Sequence, residues 1–454
     1  MHSQLEHYLR RLEGQGRLES AGQFSLDQKR ALEKLASFQL PRPGDWALKL
    51  IQAAVAGGAA EAIAVRLGRK QAEFSFAAPA AWTLERLRTD LLDPNPEPER
   101  AFAHLKAAFW NVGIHFQRPV ELALPGQSQA LVWLGDGFET VELEQPPPRM
   151  RLTIAHQRLG EKLGFWASLK LWRQANSVVH SSLSARAFTC PLPLIVDGRR
   201  LDALHFAPMH GFGPSSQPLV IGRLDEGEPR WRLPPGTLEN LRYRQAWLLS
   251  SHLRELSQDS NQIRDSEPQT WVAYLLSLHL HYVTQGKSRY LRHLRLPSQC
   301  HWIADGVASH IENFPIDPRA VTVALFASAD GLPTDLTTLR LIDGPERSQR
   351  YGRAVRALAR QLDLQNDPDF DDLLTSHTRG DIASAVLFAG MGLLTVVALP
   401  ASLLFWWAAH QAYKTAGQEP RQVVEGAMGD LKALRTDWAA MVKPFEDETS
   451  TTQK

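Results

Sequence analysis

The chain has 454 residues, 44% of them hydrophobic and 22% charged, with 13 tryptophans; this exceeds one core and excludes extensive disorder. Lys and Arg total 50 against 49 Asp and Glu, so no overall field gathers nucleic acid, which is not an expected partner. The only cysteines, Cys190 and Cys300, sit outside any CxxC or CxxH spacing, which argues against a zinc or redox centre and for free thiols in a reducing compartment.

Met1 to Arg11 is polar and charged, without the apolar centre of a secretory signal, so the body is expected to be cytoplasmic. Residues 1–20 read as a helical extension. Ser25 is a candidate N-cap for a helix over Gln28–Phe38, closed by Pro41 and Pro43. A second helix starts near Asp45, with Trp46, Leu50, Ile51, Ala54 and Val55 on one apolar face and Gly57-Gly58 at its end. Ile63 to Val65 and Phe74 to Phe76 then read as strands.

This run of helix, Gly-Ala turn and strands resembles the opening of the ATP-binding domain in the gyrase, chaperone, histidine-kinase and mismatch-repair superfamily, called GHKL. The resemblance implies an α/β sandwich over residues 21–145. In that family the helix carries a pattern like ELxxNAxDAGA, where the Glu orients water and the Asn binds magnesium; a later DxGxG loop contacts adenine. Here Lys49, Ala53 and Ala56 stand at the Glu, Asn and Asp positions, and Ala77-Ala78-Pro79 stands where the Asp and Gly are expected. Lys49, Ala53, Ala56 and Ala77 are thus degenerate nucleotide-pocket positions. Without the metal ligand and the carboxylate base, hydrolysis by the family mechanism is not expected, and no cofactor is assigned, ATP with magnesium being the alternative. Lys49 reads as a solvated face residue, with a direct phosphate contact as the alternative.

Ala101 to Gly113 resembles the later helix of the superfamily, and Val120–Leu124 and Gln129–Leu134 read as antiparallel strands. Between them and the first strands, Asp93 to Pro98 reads as a lid or as a stiff proline connector. Pro146-Pro147-Pro148 marks a boundary, and residues 146–345 are expected to form a second α+β domain. Cys190 to Leu201 is a hairpin about Asp197-Gly198 and resembles the NGR hairpin in the second, transducer domain of mismatch-repair ATPases. Arg199 and Arg200 are expected in solvent.

His279 and His281 share a strand face, but no Cys or carboxylate nearby completes a metal set, so no metal site is assigned. Lys287, Arg289, Arg292, His293 and Arg295 form a basic cluster, read as a solvated helix face or as a contact for lipid headgroups. Further strands are expected at Trp302–Val307 and Val321–Phe326, with a turn over Asp330–Asp335. A charged connector, 346–381, carries a helix over Arg347–Leu362. No GxSxG, HExxH, Walker A or GxGxxG pattern occurs.

Ile382 to Ala409 holds no charged residue. As one helix it would measure about 42 Å against a hydrocarbon core of roughly 30 Å, so it reads as a tilted or kinked membrane span or a re-entrant hairpin, the alternative being a buried helical hairpin of a soluble core, bending at Gly390 to Gly392. Trp406, Trp407, Tyr413 and Lys414 resemble an interfacial belt. Residues 410–454 are expected to give an amphipathic helix over Gln422–Lys443 and a polar end. The expected whole is α+β: a GHKL-like sandwich, a second domain and a membrane segment. It implies a membrane-tethered pseudo-ATPase that binds a protein partner, with homodimerisation open. The competing readings are an active chaperone-like ATPase using Glu73, Asp90 or Asp93, and a lipid-binding module.

Overall fold

The structure is a computed structural model. It describes residues 40, 42–161, 164–202, 215–223, 272–285, 288–335, 339–364, 422–423 and 425–443. The helix expected over Gln28–Phe38 and the apolar run Ile382–Ala409 lie outside the described residues. Among the described residues no helix is long and apolar enough to cross a membrane.

The first unit is an eight-stranded sheet in the order β5-β4-β3-β6-β2-β1-β7-β8. Its strands are β1 (Ile63–Leu67), β2 (Gln71–Phe76), β3 (Val120–Ala123), β4 (Gln129–Trp133), β5 (Phe138–Glu142), β6 (Met150–Ala155), β7 (Leu194–Val196) and β8 (Arg199–Arg200). All neighbours are antiparallel except β1 and β7, which pair parallel with Val65 opposite Val196. β2 and β6 alternate buried with half-buried positions, so one face is packed. Helices α1 (Asp45–Ala56), α2 (Leu84–Asp90), α3 (Arg100–Phe109) and α4 (Phe165–Arg186) accompany this sheet. Trp46 of α1 meets the Phe74 ring of β2 edge-on at 5.4 Å. A π-helical turn over Trp110–His115 follows α3.

The expected boundary at Pro146–Pro148 does not separate two sheets. Those prolines fill the short connection from β5 to β6, and β6 pairs with both β2 and β3, so the first sheet continues past them. The hairpin about Asp197-Gly198 also joins the first sheet. It turns at φ 48° and 79°, the left-handed pair that an Asp-Gly turn supplies. Arg199 is exposed, and Arg200 is exposed and pairs with Asp202.

The second sheet runs β11-β10-β14-β12-β13, with β9 also on β10. These are β9 (Ser215–Arg223), β10 (Val272–Gln285), β11 (Ser288–His293), β12 (Gln299–Ala304), β13 (Val307–Asn313) and β14 (Val321–Ser328). Arg289, Arg292 and His293 therefore lie on a strand rather than the expected helix, because the apolar run before them pairs antiparallel with them as a hairpin. Helix α5 (Pro345–Leu364) and helix α6 (425–443) cover this sheet. Val423, Ala427, Leu431, Leu434, Trp438 and Val442 recur at helical spacing, are buried, and share a core with Tyr274, Trp302, Val355 and Leu358. Trp438 Nε1 donates to Val355 O at 3.3 Å, and Arg319 grips Asp437 at 2.6 Å, so α5 and α6 dock on the same sheet.

Candidate functional site

Helix α1 presents Asp45, Lys49 and Gln52 at spacings of four and three residues, on a helix otherwise apolar, and all three are fully buried. Helical geometry puts them in one stripe. The stripe is covered at Gln52 by the end of β12 in the second sheet and at Asp45 by helix α4. Lys49 Nζ donates to Gln52 Oε1 at 2.8 Å, and Gln52 Nε2 donates to the Ala304 carbonyl at 3.0 Å, at the end of β12.

The turn between β12 and β13 is Asp305-Gly306, with φ 47° and 74°. A Cβ on Gly306 would stand 2.6 Å from Pro191 Cδ and 3.2 Å from Cys190 Cα, so the turn approaches the first unit as closely as glycine allows. Thr189 Oγ1 donates to the Gly306 carbonyl at 3.0 Å. Helix α3 adds Arg100 and His104, one turn apart. His104 Nε2 and Arg100 Nε stand 2.9 Å and 2.6 Å from Asp305 Oδ2, and a second Arg100 nitrogen stands 2.9 Å from Asp330.

At the other end of the stripe, Arg186 of α4 donates to the carbonyls of Ala308 at 2.7 Å, of Ser309, and of Leu339 at 3.3 Å. Its contact with Asp45 is longer, at 3.4 Å, while Ser182 Oγ donates to Asp45 at 3.2 Å. Burial raises the Asp45 carboxyl above its ordinary range despite Arg186 and Ser182. Burial also lowers the guanidinium of Arg186, which remains charged at physiological pH and spends its donors on carbonyls.

Burial pushes the Lys49 ammonium down to about 7, against the pull of Asp305 and with the repulsion of Arg186. His104 falls to about 4, first by burial and then by the nearby Lys49, in spite of its bond to Asp305. A neutral His104 can still donate Nε2–H to a carboxylate. Burial alone would raise Asp305, but the hydrogen bond from His104 and the charge of Arg100 outweigh it and hold the carboxyl below its usual value.

Lys49 is thus neither solvated, as expected, nor open on a cleft; it is enclosed by polar groups of its own chain. Ala53 is buried in the same helix, while Ala56 and Ala77 are half-buried against the first core. Pro79, after Ala77 at the end of β2, lies where a Cβ on Gly57 would come within 3.0 Å, so the two segments meet at the C-terminus of α1.

The alternative acids do not converge on this site. Asp90 pairs with Arg86 at 3.3 Å, Asp93 accepts from Asn95 at 2.8 Å, and Glu73 lies on β2 opposite Thr153. His279 bonds Thr322 Oγ1 at 2.6 Å, a structural use, and among the described residues no three His, Cys, Asp or Glu gather as a metal set. Sequence reasoning missed Arg100, His104, Arg186, Asp305 and Asp330. The available signal was the polar stripe on α1, since an amphipathic helix with Asp, Lys and Gln on one line needs polar partners wherever that line is covered.

No family model matches this chain, and no curated protein matches it. Among solved structures it is similar to the MutL ATPase domain of Aquifex aeolicus. A point variant of that domain is 8% identical, with a TM-score of 0.30, over 68% of this chain and 96% of that one. The same domain complexed with ADP is 11% identical, with a TM-score of 0.30, over 67% and 99%.

Proposed function

We propose that this chain is a GHKL-like pseudo-ATPase, a membrane-held scaffold that binds another protein and does not turn over nucleotide. The observation that carries the reading is Lys49. On the face of α1 where the resembled family keeps acid and amide groups for the metal-bound triphosphate, this chain has a buried ammonium bonded to Gln52 and facing the Asp305 turn. A fully buried lysine is neither the carboxylate base nor the oxygen ligand that magnesium takes, and its enclosure leaves that face holding two units together.

The membrane part of the proposal comes from the uncharged run Ile382–Ala409. Helices α5 and α6, which flank it in the chain, both pack on the second sheet. Both flanks then belong to one side of any bilayer, which supports a re-entrant hairpin over a single span. A hairpin also reconciles a cytoplasmic body with a cytoplasmic tail helix.

Isothermal titration of the full chain with ATP and magnesium tests the nucleotide half. No heat of binding and no phosphate release are expected. Micromolar binding with turnover overturns the proposal, and binding without turnover makes the protein a nucleotide sensor instead.

A further inference from the structure

Helix α4 begins with Phe165 and Trp166, which are 63% and 78% exposed, and no other large apolar side chain among the described residues exceeds 48%. Two adjacent aromatic rings in water at a helix start are not needed by the core, which α4 reaches only at Val179, Ser182, Leu183 and Arg186. The first half of the helix is largely exposed, with Leu169, Leu171 and Trp172 half-buried.

One cation, Arg69, lies on the Phe165 ring, and further basic residues neighbour the knuckle in the chain. The Arg69 guanidinium lies 5.9 Å from the Phe165 ring and 5.9 Å from the Trp172 ring, one helix face apart. Asn176 fixes this arrangement, its amide donating to the carbonyls of Leu67 at 3.0 Å and Gly68 at 3.2 Å in the turn that carries Arg69 and Lys70. Arg69, Lys70, Lys170 and Arg173 are all exposed. The nearby acid, Glu161, already accepts from the backbone N–H of Arg158 at 3.2 Å.

We propose that this aromatic knuckle, with Arg69, Lys70, Lys170 and Arg173 around it, docks on the surface of a bilayer carrying anionic lipid. Trp and Phe favour the headgroup level, where an apolar ring is dehydrated while its edge stays near water, and the surrounding cations meet the negative surface potential. A single-stranded nucleic acid would want open, parallel ring faces for stacking. Here the two rings meet edge-on at an interplanar angle of 77°, and Arg69 lies on the Phe165 ring. The inference rests on the membrane reading above for one thing only, the presence of a bilayer near the body.

The test uses the full chain with Ser168→Cys, an exposed position on the same helix turn, labelled with an environment-sensitive dye. Cys190 and Cys300 are fully buried and leave that thiol as the reactive one. With phosphatidylcholine vesicles containing phosphatidylserine, the dye should shift to the blue and brighten, and with phosphatidylcholine alone it should not. Lys170→Glu with Arg173→Glu should weaken the response by more than about fivefold, and raised salt should weaken it too. Phe165→Ser with Trp166→Ser, both at the surface, should abolish it with the circular dichroism unchanged.

A dye that stays in water while the protein floats with the vesicles overturns the knuckle and leaves the apolar run as the anchor. Flotation that disappears with the two serine substitutions supports the knuckle and counts against the apolar run. A dye that responds to a single-stranded oligonucleotide and not to vesicles overturns the lipid assignment.

Discussion

His104 Nε2 lies 2.9 Å from Asp305 Oδ2, and together with Arg100 on the same oxygen it ties helix α3 of the first unit to the β12–β13 turn of the second. Both side chains are buried, so the bond is made in a medium where an unmatched charge is costly. Burial and the nearby Lys49, opposed by this bond, set the titration of His104. Folded His104 takes a proton only near pH 4, whereas the unfolded chain takes it near 6.5. The unfolded state therefore binds more protons between those values, and stability is full above about pH 6.5 and declines as pH falls toward 4.

His279 and His301, both pushed down to about 4 by burial, add to the same acid slope. At about 1.4 kcal/mol per pH unit and per group, the slope is large enough to measure by urea unfolding between pH 7 and 5. His156 and His310, lowered by burial as well, add to the slope, so replacing His104 by Gln should flatten it by no more than about one third. An unchanged slope would mean that His104 protonates without disturbing the folded chain.

Lys49 predicts a second window with the same sign. Its folded value of about 7 lies below the ordinary 10.5, so between those values the unfolded chain is the more protonated state. Stability should rise as pH goes from 7 toward 10, and Lys49→Met should remove that rise. At pH 7 the Met variant is expected within about 1 kcal/mol of the parent, because a buried charge and its replacement by an apolar chain of similar length nearly offset each other. A Met variant that loses more than about 3 kcal/mol at pH 7 would show instead that the charge is a net contributor.

The turns and strands near in sequence were legible. Asp197-Gly198 reads as a hairpin because the left-handed pair it requires is a local property of two residues. The seam was not legible, for a physical reason visible in Gln52, whose amide bonds a carbonyl 252 positions away. Whether Lys49 meets water or protein depends on which distant turn folds over α1, and helical periodicity carries no such information. The parallel pairing of β1 with β7 hid for the same reason. It drew the hairpin expected in the second domain into the first sheet. The basic cluster misled differently, since Arg289, Arg292 and Arg295 recur every third residue, a spacing that fits a helix face although the run pairs as a strand.

Gly306→Ala tests how tightly the two units are held. The position has φ 74°, and its new Cβ would meet Pro191 Cδ at 2.6 Å. Left-handed strain contributes about 1 to 2 kcal/mol and the overlap adds to it, so a loss of roughly 2 to 4 kcal/mol is expected in urea unfolding. If the seam is what joins the units, a single unfolding transition in the parent should split into two in the variant. A variant with the parent's midpoint would place the turn away from Cys190 and Pro191.

The proposed re-entrant hairpin yields the last prediction. Arg360 on α5 and Thr436 on α6 are both exposed, and both helices share the core around Trp438 and Val355. With Cys190 and Cys300 buried, Arg360→Cys and Thr436→Cys each offer one thiol to a membrane-impermeant maleimide. In sealed vesicles holding the full chain, the two thiols should react together or be protected together. A single span would label one and spare the other, and it would require α6 to leave the second sheet. Separating α6 would uncover Leu431, Leu434 and Trp438, and emptying a Trp site alone costs about 3 to 5 kcal/mol, so one-sided labelling would have to come with a destabilised second sheet. Opposite accessibility in a fully stable protein would remove the hairpin from consideration.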